Sequence, residues 1–409
     1  MYVPARVATV LLATAALVAS AAPAFAVAFD ETPDPTWQTN GRVNAVVYAG
    51  NAVYIGGEFT RVRPPGSSSG DVVRNRLAAF EVATGDLLPW NPNANRAVEA
   101  LELSTDGTSI LVGGRFDRVR GAVREGLARV HLQTGELTPW APMVDGYVRT
   151  IEAKSNGNRV YVGGHFTEAN GVRRRHLAAF DADNGRLLTS WQPMVRQADG
   201  PCPPRCFVAV HDLALSDDED TVYIGGAFAS VDGVARNSAA AVSAVNAELR
   251  PFDPNVYSAN TTGGSRNMVY DIELGGSRAF LCGDFWRVGG VRSPNVAAVD
   301  LASGTRLAVF DVKADGAVNA CVAGEGVLFL GGHFDHVGRA SNQDDPGPYR
   351  QHLAAVDRGH GALDPWDPGA SSVPGVYALA LSPSRTRLAV GGQFRETGGV
   401  QQQGFAQFG

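Results

Sequence analysis

Apolar positions recur along the chain in blocks that share one internal order. A strand opens at Val43, Val98, Val148, Val210, Val269, Val318 and Val376, and a second strand ends 13 or 15 residues later in a small-residue pair, a variable residue and Phe. These signatures begin at Gly56, Gly113, Gly163, Gly225, Cys282, Gly331 and Gly391. The two spacings differ by an even number, so the hairpin lengthens without turning the apolar face outward. A third strand follows, rich in Ala, opening at Leu77, Leu127, Leu177, Ala239, Val296, Leu353 and Phe405. A turn then carries glycine at 85, 135, 185, 304 and 361, as a short hairpin needing positive φ would. A fourth segment presents Trp90, Trp140, Trp191, Phe252, Phe310 or Trp366.

Self-similarity at a period of roughly 50 to 60 residues marks a radial β array, in which no unit buries its faces alone. The first three strands occur seven times, whereas only six fourth segments follow them, because the chain stops at Gly409. The missing segment is supplied by Asp34-Pro35-Thr36-Trp37, ahead of the first repeat. The expected fold is therefore all-β: a seven-bladed β-propeller with four antiparallel strands per blade, its ring closed by an N-terminal strand 4 near Trp37. The repeats fill the chain, so residues 27–409 are expected to form one domain.

With these elements in place, the chain resembles the delta-60 repeat β-propeller family of secreted bacterial proteins. The likeness rests on units such as Tyr161-Val-Gly-Gly-His-Phe-Thr167 followed by Arg174, Leu177-Ala-Ala-Phe-Asp181, Gly185 and Trp191, and it extends over nearly the whole chain. It implies a fold and no general catalytic assignment. A weaker similarity to quinoprotein repeats lies in the third strand, turn and Trp, and the glycine pairs are similar to those of kelch propellers. Seven repeats and the three residues between Cys202 and Cys206 depart from the quinoprotein pattern, and no cofactor is expected.

Before the repeats, Arg6, an apolar stretch from Val7 to Val18 and Ala24-Phe25-Ala26 have the order of a cleavable export signal over residues 1–26. The stretch is short for a membrane span, and the chain is expected to be a secreted monomer. The formal net charge of -6 argues against nucleic acid as a partner. Four cysteines in an exported chain suggest disulfides. Cys202 and Cys206 read as a loop staple, and Cys282 and Cys321, which depart from the repeat together in neighbouring units, as a bridge between blades. No cysteine or histidine spacing indicates a metal site. Arg74, Arg124, Arg174, Arg236 and Arg350 recur three residues before the third strand and are expected in structural salt bridges.

Function is sought where the repeats differ. Long insertions lie in the 2-3 loops, from Pro64 to Val73 and from Gly338 to Tyr349, and in the 4-1 loops, from Val195 to Ala209 and from Val256 to Met268. All of these decorate one face of the disc, which is the expected binding face. Two variable slots approach it. The third signature position supplies Glu58, Arg115, His165, Ala227, Asp284, His333 and Gln393; the second residue of strand 1 supplies Asn44, Glu99, Arg149, His211, Tyr270, Asn319 and Tyr377. Trp286 follows Phe285 where other units have small or charged residues. The candidate ligand-binding set is Trp286, Tyr270, Tyr377, Asp284, His333, Asn319 and Gln393, suited to stacking on a sugar or aromatic ring. Two functions are open: a binding or scaffold module engaging a protein or glycan, and an extracytoplasmic hydrolase or lyase using His333, Asp284 and Asp271 as acid and base.

Overall fold

The computed structural model describes residues 29–155, 158–197, 208–258, 267–371 and 374–409. The expected export signal and the expected Cys202–Cys206 staple lie outside the described residues. Among those described, all regular structure is β, and no helix is long and apolar enough to cross a membrane.

Seven three-stranded antiparallel sheets carry the repeat, each in the order first, second, third strand. Their first strands are Val43–Ala49, Val98–Leu103, Tyr147–Lys154, Ala209–Leu215, Met268–Gly275, Ala317–Ala323 and Gly375–Leu381. Each first strand packs on the first strand of the next sheet, and the last packs on that of the first sheet. The core is correspondingly a set of seven seams, each built from two consecutive sheets. One of them joins Ala389 and Phe405 of the seventh sheet to Val43 and Phe59 of the first.

The glycine pair makes these seams possible, and its two members act differently. A Cβ on the first glycine would meet the valine that opens the next sheet: 2.4 Å from Val98 at Gly56, 2.5 Å from Val210 at Gly163 and 2.6 Å from Val43 at Gly391. A Cβ on the second would strike the backbone of its own first strand, as at Gly57, 2.1 Å from the Arg42 carbonyl oxygen. Where Cys282 replaces the first glycine, its neighbour across the seam is Cys321, and the two form a disulfide with a Cα–Cα distance of 6.5 Å.

The fourth segment is less of a strand than the sequence suggests. It joins its sheet through a single bridge residue, such as Leu87 to Phe80 or Leu363 to Val356. In four units Pro89, Pro139, Pro251 or Pro365 follows shortly, and proline has no N–H to continue the ladder. The residue after the bridge still donates its N–H to the third strand, as Leu88 does to Ala79 and Asp364 to Ala355; Asp34 makes the equivalent bond to Gln407. By this register Thr36, not Trp37, holds the aromatic slot, fully buried and bound by the Gln402 amide. Trp37 is half-buried beside it, and Gln38–Thr39 pairs with Arg61–Arg63.

The recurring arginines are also corrected. Arg74, Arg124, Arg174, Arg236 and Arg350 donate to the carbonyls of Leu88, Thr138, Thr189, Arg250 and Asp364, holding the fourth segment by its backbone. Among the described residues, Arg236 and Arg350 alone of these add a carboxylate partner, Asp253 and Asp367. The tryptophans stitch seams as expected: Trp90, Trp140 and Trp191 donate Nε1–H to the next unit's His131, Asp181 and Ser243 carbonyls. Both lysines are buried loop clamps, Lys154 on the Glu219 carbonyl and Lys313 on the carbonyls of Asn342 and Asp345 in an inserted loop.

Candidate functional site

Every first strand is irregular at the same place. The register with the second strand slips between Val43 and Ala45, and likewise after Val98, Val148, Val210, Val269, Val318 and Val376. A β-bulge leaves one residue unpaired and re-aims its side chain. The unpaired residues are Asn44, Glu99, Arg149, His211, Tyr270, Asn319 and Tyr377, one per sheet. All seven line one cavity of about 870 Å³, walled by the first strands of all seven sheets.

The bulge residues form the polar rim of this cavity. Asn44 and Asn319 donate to the next sheet's opening carbonyl, Val98 and Val376, at 3.0 and 2.9 Å. Arg42 pairs with Glu58 at 2.7 Å and lies over the Tyr377 ring. Arg115 pairs with Glu99 at 2.6 Å and lies over Tyr147. Arg149 also approaches the Tyr147 ring, at 5.3 Å, yet has no ion-pair partner among the described residues. His211 meets Tyr270 edge-on at 5.2 Å. Burial, reinforced by the Arg149 charge, lowers His211 to about 3, so its imidazole is neutral.

Deeper in the cavity stand five carboxyls: Glu102, Glu152, Asp212, Asp271 and Glu273. They face the cavity space and are otherwise surrounded by protein. Desolvation raises all five; repulsion by Asp212 adds to it at Glu102, Glu152, Asp271 and Glu273, whereas hydrogen bonds offset part of it at Asp212, and Glu273 reaches about 7. Asp212 and Asp271 share a hydrogen bond. Each also accepts from the next sheet's backbone, Asp212 from Ile272 N–H at 2.9 Å and Asp271 from Cys321 N–H at 2.7 Å. Glu152 and Glu273 reach Leu215 and Ala323 N–H in the same way. Thr150 does the same for Leu213. These side chains therefore stitch neighbouring first strands besides lining the cavity.

The structure divides the residues nominated from sequence. Tyr270, Tyr377, Asn319 and Asp271 line the cavity. Trp286, Asp284, His333 and Gln393 are not among its lining side chains. Trp286 is 38% exposed with Arg292 stacked over its ring at 4.6 Å. His333 is exposed and meets His352 edge-on. Asp284 and Gln393 end their second strands opposite Met268 and Gly375, one step before the bulge. Arg149, His211 and the deep carboxyls other than Asp271 were not nominated. Their signal was available: two residues past each opening valine four units have Ala, whereas three have Thr150, Asp212 and Asp271. Among the described residues no group of three or more His, Cys, Asp or Glu is placed to hold a metal ion. The chain matches no known family model and no curated protein.

Proposed function

We propose that this chain is an exported, monomeric seven-bladed β-propeller that acts as a binding module, engaging a glycan or a protein through its loop-rich face with the ligand seated at the mouth of the cavity. The propeller reading is supported by the cyclic succession of first-strand contacts and by the Asp34 N–H bond to Gln407, which supplies the seventh fourth segment. The disulfide between Cys282 and Cys321 and the leader pattern support export. One observation carries the binding reading: seven equivalent bulges aim seven side chains into one cavity, and their chemistry differs from sheet to sheet. Packing asks the same residue of every unit, as the glycine pairs show. A ring of Asn, Glu, Arg, His and Tyr answers to something other than packing.

The test is a glycan array followed by calorimetry with Tyr270→Ala and Tyr377→Ala. Binding without turnover, weakened at least tenfold in either variant, is expected. Binding that survives both substitutions overturns the placement of the ligand.

A second reading, a hydrolase or lyase, is favoured by the hydrogen-bonded Asp212–Asp271 pair, one carboxyl of which is held protonated beside the other in a cavity. It shifts the acid and base from the His333, Asp284 and Asp271 expected from sequence to Asp271 with Asp212. Turnover of a bound glycan, lost in Asp271→Asn with binding retained, would establish it in place of the first.

A further inference from the structure

We infer that the cavity mouth recognises an anionic sugar, with Arg149 binding its carboxylate and His211 adding a hydrogen bond beside it. This rests on the binding reading above and names the class of ligand.

The argument begins with charge pairing at the rim. Three guanidiniums stand there, and two are matched: Arg42 by Glu58 and Arg115 by Glu99. Arg149 is half-buried, and its Nε is enclosed without a hydrogen-bond partner among the described residues. That atom is closed off from the cavity, so a ligand there meets the terminal guanidinium N–H groups, which have no carboxylate partner among the described residues. The neighbouring bulge residue has the same deficit. His211 is 9% exposed, and its Nε2 is buried with no partner. Arg149 and His211, on adjacent first strands, thus both line the cavity with side chains that have no hydrogen-bond partner among the described residues.

The surroundings admit an anion beside Arg149. The deep carboxyls are displaced toward their uncharged forms, so they oppose a negative ligand less than five free carboxylates would. Glu99 is already neutralised by Arg115. A guanidinium fork fits a carboxylate through two parallel hydrogen bonds. Tyr270, edge-on to His211, and Tyr377, one face of which carries Arg42, line the same cavity with rings of the kind that receive the apolar side of a sugar. A sugar acid combines both demands in one small molecule.

The probes are a glucuronic acid tetramer and the same tetramer with its carboxylates methyl-esterified, titrated calorimetrically into the full chain. The wild type is expected to bind the acid at least tenfold more tightly than the ester. Arg149→Gln should remove that preference while leaving ester affinity within twofold, Arg149→Lys should restore part of it, and His211→Gln should weaken acid binding by threefold or more. Arg175→Gln, an exposed arginine outside the cavity, should change nothing beyond twofold. Equal affinity for acid and ester, with both lost in Tyr270→Ala, overturns the anion assignment and leaves the binding module standing. An acid preference that persists in Arg149→Gln and disappears in Arg175→Gln overturns it in favour of the surface arginines. Failure of both tetramers to bind overturns the inference, and failure across the glycan array as well removes a glycan as the ligand.

Discussion

The two sides of the cavity are built on one backbone and carry opposite chemistry. On the second to fifth sheets the wall below the rim holds Glu102, Thr150, Glu152, Asp212, Asp271 and Glu273 among apolar residues such as Leu101 and Ile272; on the sixth, seventh and first the equivalent places are Ala320, Val322, Ala378 and Ala45, and among the described residues no carboxyl lines the wall there. The bulge, the glycine pair and the seam valine recur on both sides. Scaffold and lining are therefore separable in part: a few shared residues make every seam, which lets the cavity-facing positions diverge, and on the polar side those positions add hydrogen bonds of their own to the next first strand. A wall that is polar on one side and apolar on the other suits a ligand with two unlike faces.

If the sides differ only in lining, damage to a seam should cost the same on either. Gly163→Val, between the third and fourth sheets, would place its Cβ 2.5 Å from Val210; Gly391→Val, between the seventh and first, 2.6 Å from Val43. Neither neighbour is the end of a flexible chain, so overpacking should destabilise each variant by about 3 kcal/mol or more. Chemical denaturation should put the two within about 1 kcal/mol of each other. A far milder Gly391→Val would mean that the seventh and first sheets do not close as tightly as the others.

The disulfide sits where the two sides meet, between the fifth and sixth sheets. Replacing both Cys282 and Cys321 with alanine removes a cross-link that spans 39 residues and should lower stability by about 2–3 kcal/mol in the same measurement. Ligand affinity should be unchanged, because the contacts of the bulge residues on either side do not cross this seam: Tyr270 meets His211 of the fourth sheet and Asn319 bonds to Val376 of the seventh.

The polar side of the cavity should make stability depend on pH in the unusual sense. Glu273 is raised from about 4.5 to about 7 by burial. Between those values the folded protein keeps a proton that the unfolded chain has released, so this contribution to stability is present below about pH 4.5 and is lost as pH rises through 7. Glu273→Gln retains an acceptor for Ala323 N–H and cannot ionise. It should match the wild type at pH 4 and exceed it by about 1–2 kcal/mol at pH 8. Surface carboxylates act oppositely: Asp145 and Asp315, lowered by hydrogen bonds that outweigh their desolvation, stabilise at neutral pH and lose that contribution in acid. The difference between variant and wild type isolates the cavity group from them.

Much of the scaffold was legible in the sequence because packing repeats itself. The opening valines, the glycine pair, the third strand and the paired departure at Cys282 and Cys321 all have one cause, close approach of neighbouring sheets, acting in every unit. The site was legible only in part. Periodicity shows which residues alternate and does not announce a bulge, since no glycine marks it here; Asn44, Arg149 and Tyr377 stand at the slip itself. Without the bulge, Asp284, His333 and Gln393 seem as central as Tyr270. The register of Thr36 was hidden for a similar reason: a lone Trp37 looks like the slot aromatic until the Asp34 hydrogen bond fixes the count. The arginines pointed to carboxylates because charge is visible in sequence and backbone carbonyls are not.

The smallest expected effect tests the comparison most directly, by moving one element of the polar side across. Ala378 occupies in the seventh sheet the position of Asp212 in the fourth and Asp271 in the fifth, directly after the bulge. Those two carboxyls each accept the N–H of the residue one place further along the next first strand, Ile272 and Cys321. For the seventh sheet the equivalent donor is Val46. Ala378→Asp should therefore find a ready hydrogen bond, worth about 1 kcal/mol, set against the cost of desolvating a carboxyl in an apolar wall. The two nearly cancel when the group is protonated. Stability should fall by less than about 1 kcal/mol at pH 5 and by more at pH 8, because the new carboxyl, raised by burial, must there give up its proton. A loss of several kcal/mol at both pH values would show that the apolar side differs in backbone geometry as well as in side chains, and the separation of scaffold from lining would fail on that side.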